Sequence, residues 1–180
     1  PKFLLPNSLQ LLFDFTDPEK PSGAAFNNPK NSLDSSDMEA NSTRWRKAEI
    51  PAANGHGTAR SLARLYGALA TGGSRDGVHV LTPETIELAR QTESDGKDLV
   101  LAQMHTRFGL GFMLGTEDVS MGPNKNSMGH GGAGGSLGFA DPDNNISLGF
   151  TMNQMHAGIT AWKTATDVAD SVYKTLSINT

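Results

Sequence analysis

Apolar residues fall into distinct rhythms along the chain, and each rhythm predicts an element. Ala59, Leu62, Ala63, Leu65, Tyr66 and Leu69 recur at helical spacing and Gly72-Gly73 supplies a stop, which predicts a helix over 58–71. A second helix is predicted from Thr82 to about Gln91. Thr82 suits an N-cap, Pro83 the first helical position and Glu84 the positive helix end, while Leu81 faces Ile86 as a staple. Phe108 to Leu114 alternates large and small residues, which predicts one strand that a neighbour approaches closely. Residues 136–153 predict a hairpin: Leu137 and Phe139 share a face, Asp141-Pro142-Asp143-Asn144-Asn145 is turn chemistry, and Ile146, Leu148, Phe150 and Met152 alternate again. Trp162, Ala165, Ala169, Val172 and Leu176 mark a closing helix with one buried stripe. Asp14 to Ala53, rich in Asn, Ser, Asp, Pro and Lys, is expected to be a long irregular excursion. These elements predict an α+β fold, an antiparallel sheet flanked by helices, with a loop-rich segment over 1–53 and the packed portion over 54–180.

Composition narrows the function classes. The 180 residues include 20 glycines and no cysteine, with a formal net charge of −4. The missing thiols exclude a disulfide scaffold, a cysteine nucleophile and cysteine-ligated metals. The acidic balance, without a Lys/Arg cluster, argues against nucleic acid as a partner. No apolar run approaches the roughly 18–20 residues needed to cross a bilayer, so no membrane is expected. A soluble protein is predicted, with the cytoplasm slightly favoured as compartment. The chain starts at Pro1 without Met, which suggests a segment of something longer.

Candidate chemistry gathers in Gly129-His130-Gly131-Gly132-Ala133-Gly134-Gly135-Ser136-Leu137-Gly138, which holds six glycines in ten positions. His130 projects from backbone with little side-chain cover, so a ligand can reach the N–H groups as a developing oxyanion requires; equally, the glycines can serve a bulge or close strand packing. Gly134-x-Ser136-x-Gly138 fits the Gly-x-Ser-x-Gly pattern, but that mechanism needs a strand-to-helix elbow and here the serine enters an alternating strand. Ser-x-x-Lys occurs at Ser94–Lys97 and Ser171–Lys174, no more than composition yields by chance, and no Tyr-x-Asn is present. His56, His79, His105, His130 and His156 have no metal-ligand spacing, so neither metal nor cofactor is expected. His79 and His105 read as surface histidines. Asn41-Ser42-Thr43 and Asn145-Ile146-Ser147 are glycosylation sequons by pattern only.

Three segments together resemble the serine β-lactamase and penicillin-binding-protein-like hydrolases, especially the class C-like branch that includes carboxylesterases. Trp45 to Tyr66 looks like the approach to a helix in that family's second half. Gly129 to Gly135 looks like its Lys-Thr/Ser-Gly strand, and Asp141 to Met155 like the hairpin that follows. The likeness covers about residues 44–176. It implies that His130 stands where the family has the strand lysine, Gly131 where it has Thr or Ser, and Gly132 where it has the motif glycine. Ala133 then supplies a backbone N–H to the oxyanion hole, and Gly131, Gly132 and Asn153 border the substrate. His130 in place of a permanent cation, with no hydroxyl at Gly131, removes groups that hold a β-lactam carboxylate, which shifts the expected reaction toward esters.

The family's nucleophilic serine, its lysine base and its Tyr-x-Asn find no usable match here. The resemblance therefore implies the C-terminal part of a serine hydrolase that forms an acyl-enzyme on a serine outside this chain, with an acyl ester or lactam as substrate. The expected partner is the N-terminal half of the same hydrolase, docked beside Ile146 to Asn153, an open sheet edge that also permits self-association. Alternative readings are a non-catalytic association module on the same fold, a true β-lactamase or peptidase parent, and an independent hydrolase using Ser136.

Overall fold

The computed structural model describes residues 14, 16–26, 39–101, 103–156 and 163–178. The chain divides into two compact units, Pro1–Gly57 with Asp98–Met104, and Thr58–Lys97 with His105–Thr180.

The first unit is not wholly irregular. It contains helix α1 (Pro21–Phe26), a 3-10 turn (Glu39–Asn41) and helix α2 (Thr43–Lys47). These turns are too short for apolar periodicity to reveal them. Side-chain-to-backbone bonds hold them instead. The Ser42 hydroxyl accepts from the Trp45 N–H at the start of α2. The Ser22 hydroxyl, fully buried, donates to the Val100 carbonyl at 2.6 Å. Asn54 fastens the following loop, donating to the Trp45 carbonyl at 2.9 Å while its own oxygen accepts from the Ile50 N–H at 3.1 Å.

The second unit opens with helix α3 (Ala59–Ala70), one residue inside each predicted limit. Thr58 and Ser61 form a reciprocal capping box that satisfies two N–H groups the helix leaves unpaired. A two-stranded hairpin, β1 (Ser74–Arg75) and β2 (Val78–His79), leads into helix α4 (Pro83–Ala89), which Thr82 caps with Pro83 in the first turn, as expected. The remaining strands are β3 (Ser94–Asp98), β4 (Met104–Phe108), β5 (Met113–Leu114), β6 (Met128–Gly131), β7 (Leu137–Asp141) and β8 (Ile146–Phe150). Helix α5 (Lys163–Thr175) closes the order. The sheet runs β3-β4-β5-β6-β7-β8, with antiparallel pairs from β4 to β8.

The run from Phe108 to Leu114 is therefore two strand ends and a tight connection rather than one strand. Phe108 pairs with Met113, and the Gly109 N–H donates to the Phe112 carbonyl at 2.9 Å. Gly111 turns the chain at φ +81°, and a Cβ on Gly109 would lie 2.0 Å from the Ala89 carbonyl oxygen. Alternation of large and small residues here reflects a turn and a contact with the end of α4, which single-sequence periodicity does not separate from strand pleating.

Two layers cover the sheet. On one side, α3 and α4 contribute Tyr66, Leu69, Ala70 and Ile86 to a cluster with Leu114, Met128 and Ala140. Gly138 and Gly149 face each other across β7 and β8, and both lie under α3. A Cβ at Gly138 would meet the Tyr66 ring at 2.4 Å, and one at Gly149 the Ala59 carbonyl oxygen at 2.3 Å, so these bare positions let the helix seat closely. The Ser147 hydroxyl donates to the Ala63 carbonyl at 3.1 Å along the same seam. The alternate positions Leu137 and Phe139 are fully buried, with Val119 and Met121 also sealed from solvent. Burial of a side chain such as Phe139 stabilises by about 1.5–3 kcal/mol.

Helix α5 presents Ala165, Ala169 and Tyr173 as its buried stripe. Leu176 from the expected stripe is 56% exposed, and Trp162 lies outside the described residues. The small alanines allow close approach, and the stripe ends on Tyr173 because its hydroxyl donates to Asp141 Oδ2 at 2.5 Å. No helix among the described residues is long and apolar enough to cross a membrane.

Candidate functional site

Strand β6 carries the glycine-rich segment. Its first residue, Met128, is buried in the α3 core, and the strand pairs in register with β7 from Met128–Ala140 to Gly131–Leu137. This fixes the strand at one end and delivers His130 and Gly131 at the other, next to the turn over Gly132 to Ser136. His130 is exposed. Its Nδ1 lies 2.5 Å from the Gly131 carbonyl oxygen, which can only accept, so Nδ1 carries the proton and a neutral ring leaves Nε2 as the acceptor. The imidazole leans on the Phe108 ring, with centroids 6.2 Å apart and planes at 45°.

The turn is closed by two backbone bonds. The Gly132 N–H donates to the Ser136 carbonyl at 2.8 Å, and the Gly135 N–H to the Gly132 carbonyl at 3.0 Å. The N–H of Ala133 donates to no backbone carbonyl among the described residues, and Ala133 is exposed. Gly134 and Gly135 adopt φ values of +83° and +116°, which a side chain would strain. A Cβ on Gly132 would collide with the Ser136 hydroxyl at 2.2 Å. Gly129 and Gly138 therefore permit close packing, while Gly132, Gly134 and Gly135 shape the turn in which Ala133 is exposed.

The chain beyond β8 returns to this turn. His156 donates its backbone N–H to the Gly134 carbonyl at 3.0 Å, and the Met155 side chain lies over Gly134 where a Cβ would come within 2.7 Å. Asn153 is exposed within that segment, and no hydrogen bond joins it to the turn among the described residues. The structure thus gathers His130, Gly131, Gly132 and Ala133, and adds Phe108, Met155 and His156. No motif marks Phe108 or Met155. Both reach the turn through tertiary packing, and only the proximity of His156 to the expected hairpin end offered a sequence signal.

Other candidates fall away on geometry. Ser136 precedes strand β7 rather than forming a strand-to-helix elbow. Ser94 and Lys97 lie on β3, where residues three apart face opposite sides. Ser171 and Lys174 are one turn apart on α5, but the Ser171 hydroxyl is spent on the Asp167 carbonyl at 2.7 Å. His79 and His105 are exposed, His79 against Ser74 and His105 against Asp95 at 2.5 Å. Among the described residues, no three His, Asp or Glu groups are placed to hold a metal ion.

A model of the Beta-lactamase family matches residues 14–170. The chain belongs to the β-lactamase family. A curated relative, the esterase/beta-lactamase LipL of Mycobacterium tuberculosis (strain ATCC 25618 / H37Rv), is 39% identical over 109 residues, covering 60% of this chain and 24% of the relative. Among solved structures, a family VIII carboxylesterase superposes with a TM-score of 0.69 at 36% identity, over 74% of this chain and 36% of its own. A penicillin-binding protein homolog from Caulobacter crescentus gives 0.74 at 37% identity, over 85% and 39%. EstA from Arthrobacter nitroguajacolicus Rue61a gives 0.74 at 28%, over 89% and 42%. The β-lactamase and transpeptidase-like fold expected from the sequence is the fold observed, in a hydrolase family that includes esterases. This chain spans about a quarter of the curated relative and 36–42% of the structures.

Proposed function

We propose that this β-lactamase-family chain is the C-terminal part of a serine hydrolase acting on esters, and that it supplies the strand bordering the acyl group. The observation that carries the reading is the N–H of the exposed Ala133, uncommitted to any backbone carbonyl among the described residues in a turn closed by the Gly132 and Gly135 N–H groups. Such a donor is held in place before reaction and costs little reorganisation when a carbonyl oxygen becomes an oxyanion.

In this reading a serine outside the described chain attacks the ester carbonyl, and its proton passes to a base from the same outside segment. The carbonyl electron pair moves onto oxygen, where the Ala133 N–H and a second donor receive it. Collapse expels the alcohol, which takes up the proton, and water then releases the acid from the acyl-serine by the same route. His130 flanks the acyl carbonyl with Nε2 as acceptor, Gly131 and Gly132 leave room for the substrate, and Asn153 borders its outer side. A site with an imidazole in place of a permanently charged ammonium, and no hydroxyl at Gly131, selects an ester over a lactam bearing a carboxylate.

The segment carrying the nucleophile docks beside β8, which ends the sheet order among the described residues. Coexpression with an N-terminal half carrying Ser-x-x-Lys, assayed on a chromogenic short-chain ester, tests the reading. Hydrolysis is expected; a stable complex with no activity overturns it. The same β8 edge favours one other reading, a non-catalytic module that self-associates. A cooperatively folded dimer inert to serine-reactive probes, alone and in the complex, would establish it.

A further inference from the structure

A second site lies near the opposite end of β6, where Lys125 and Asn126 precede the strand. A cavity of about 470 Å³ opens there between the end of α4, strand β4 and the segment before β6. We propose that this cavity binds a small phosphate-type oxyanion, either free phosphate or the phosphate group of a small organic ester.

Three cationic side chains, Arg90, Arg107 and Lys125, line the cavity with one carboxylate, Glu87, and a second carboxylate, Asp143, pairs with Arg90 from outside the lining. That excess of positive charge stands out on a chain of net charge −4. Arg90 is a fixed wall. Its side chain is 13% exposed and held by Glu87 and Asp143, each at 2.9 Å. Burial draws its proton affinity down, and the Asp143 and Glu87 carboxylates more than restore it, so the guanidinium stays charged.

Arg107 and Lys125 are differently placed. Neither forms an ion pair among the described residues. Arg107 Nη2 donates to the Lys125 carbonyl at 3.1 Å, which orients the guanidinium, while its Nε is shielded from solvent with no acceptor among the described residues. The guanidinium is thereby fixed in place with its charge unpaired by any carboxylate among the described residues. Adjacent guanidinium N–H groups suit the spacing of phosphate oxygens, and the Lys125 ammonium adds a point charge at the rim. Thr92 and Gln91 complete a polar lining, while the Asn126 amide donates to Asp143 at 2.8 Å.

Calorimetric titration of the 180-residue chain with inorganic phosphate and with phenyl phosphate, at low ionic strength, tests the site. Saturable one-to-one binding is expected, weakening as sodium chloride rises. Lys125→Ala should weaken it roughly tenfold, the loss expected for one charge-assisted hydrogen bond. Glu87→Gln should tighten it, because the competing carboxylate is removed while Asp143 still holds Arg90; a gain of affinity cannot come from unfolding. Tighter binding of phenyl phosphate points to an organic ester and equal binding to the free anion, and both support the site. Absence of saturable binding, or binding unchanged in Lys125→Ala and Glu87→Gln, overturns it.

Discussion

Strand β7 begins at one turn and ends at another, and the two are built on opposite terms. At its far end the fully buried Asp141 collects the Asn124 amide at 2.7 Å, the Asn144 amide at 2.8 Å, the Tyr173 hydroxyl at 2.5 Å and the Asp143 backbone N–H at 3.1 Å. At its near end the Gly132–Ser136 turn closes on two backbone bonds, carries no large side chain of its own, and leaves Ala133 exposed with its N–H uncommitted to a backbone carbonyl among the described residues. A buried polar group is tolerable only when fully bonded, and the Asp141 carboxylate meets that condition. The glycine turn instead leaves Ala133 exposed, while Met155 covers Gly134. Stability and access thus sit at opposite ends of one strand.

Breaking the tight end should have the largest effect. Asp141→Ala strands several buried donors at once and should destabilise by about 3–5 kcal/mol, read as a fall in the urea midpoint. Next come the glycines under α3. Gly149→Val forces a side chain against the Ala59 carbonyl and should lose about 1–3 kcal/mol, whereas Gly72→Ala, with open space around it, carries only the strain of its +84° φ. Tyr173→Phe removes one donor to Asp141 and should lose about 1–2 kcal/mol by the same measurement.

A smaller effect appears in the pH profile. The Asn126 and Asn124 amides, with Arg90, hold the Asp143 carboxyl below the usual carboxylate range. Its folded-state pKa lies below the unfolded value of about 3.9, so its contribution is present above roughly pH 4 and lost as pH falls through the folded value. Asp143→Asn should flatten that acid limb of thermal stability. At the open end, His130→Ala should change stability by less than about 0.5 kcal/mol, since the ring is exposed; a larger loss would mean that the glycine turn is structural after all.

Sequence patterns exposed the helices over 59–70 and 83–89 and the hairpin of β7 and β8, because caps, apolar spacing and Asp-Pro-Asp turn chemistry are local. They concealed β3 and the small hairpin of β1 and β2, since Ser94–Asp98 and Ser74–His79 are largely exposed and carry no apolar alternation. The Phe108–Leu114 run misled because a turn glycine facing α4 and a strand glycine look alike in sequence. His130 stood out by glycine density, and Gly131 to Ala133 by the resemblance of this segment to the family's strand. Phe108, packed on His130 from 22 residues away along the chain, and Met155, packed on Gly134 from 21 residues away, carried no comparable mark.

The central claim, that the glycine turn donates its backbone to an acyl oxyanion, is tested most directly by removing one N–H. In the active complex with an N-terminal half, Ala133→Pro deletes that donor and leaves the exposed side-chain position otherwise apolar. The account predicts a fall in kcat for a chromogenic ester of about 10²–10³-fold, with the complex still assembled and KM changed little. A kcat within about threefold of the unsubstituted complex would contradict it.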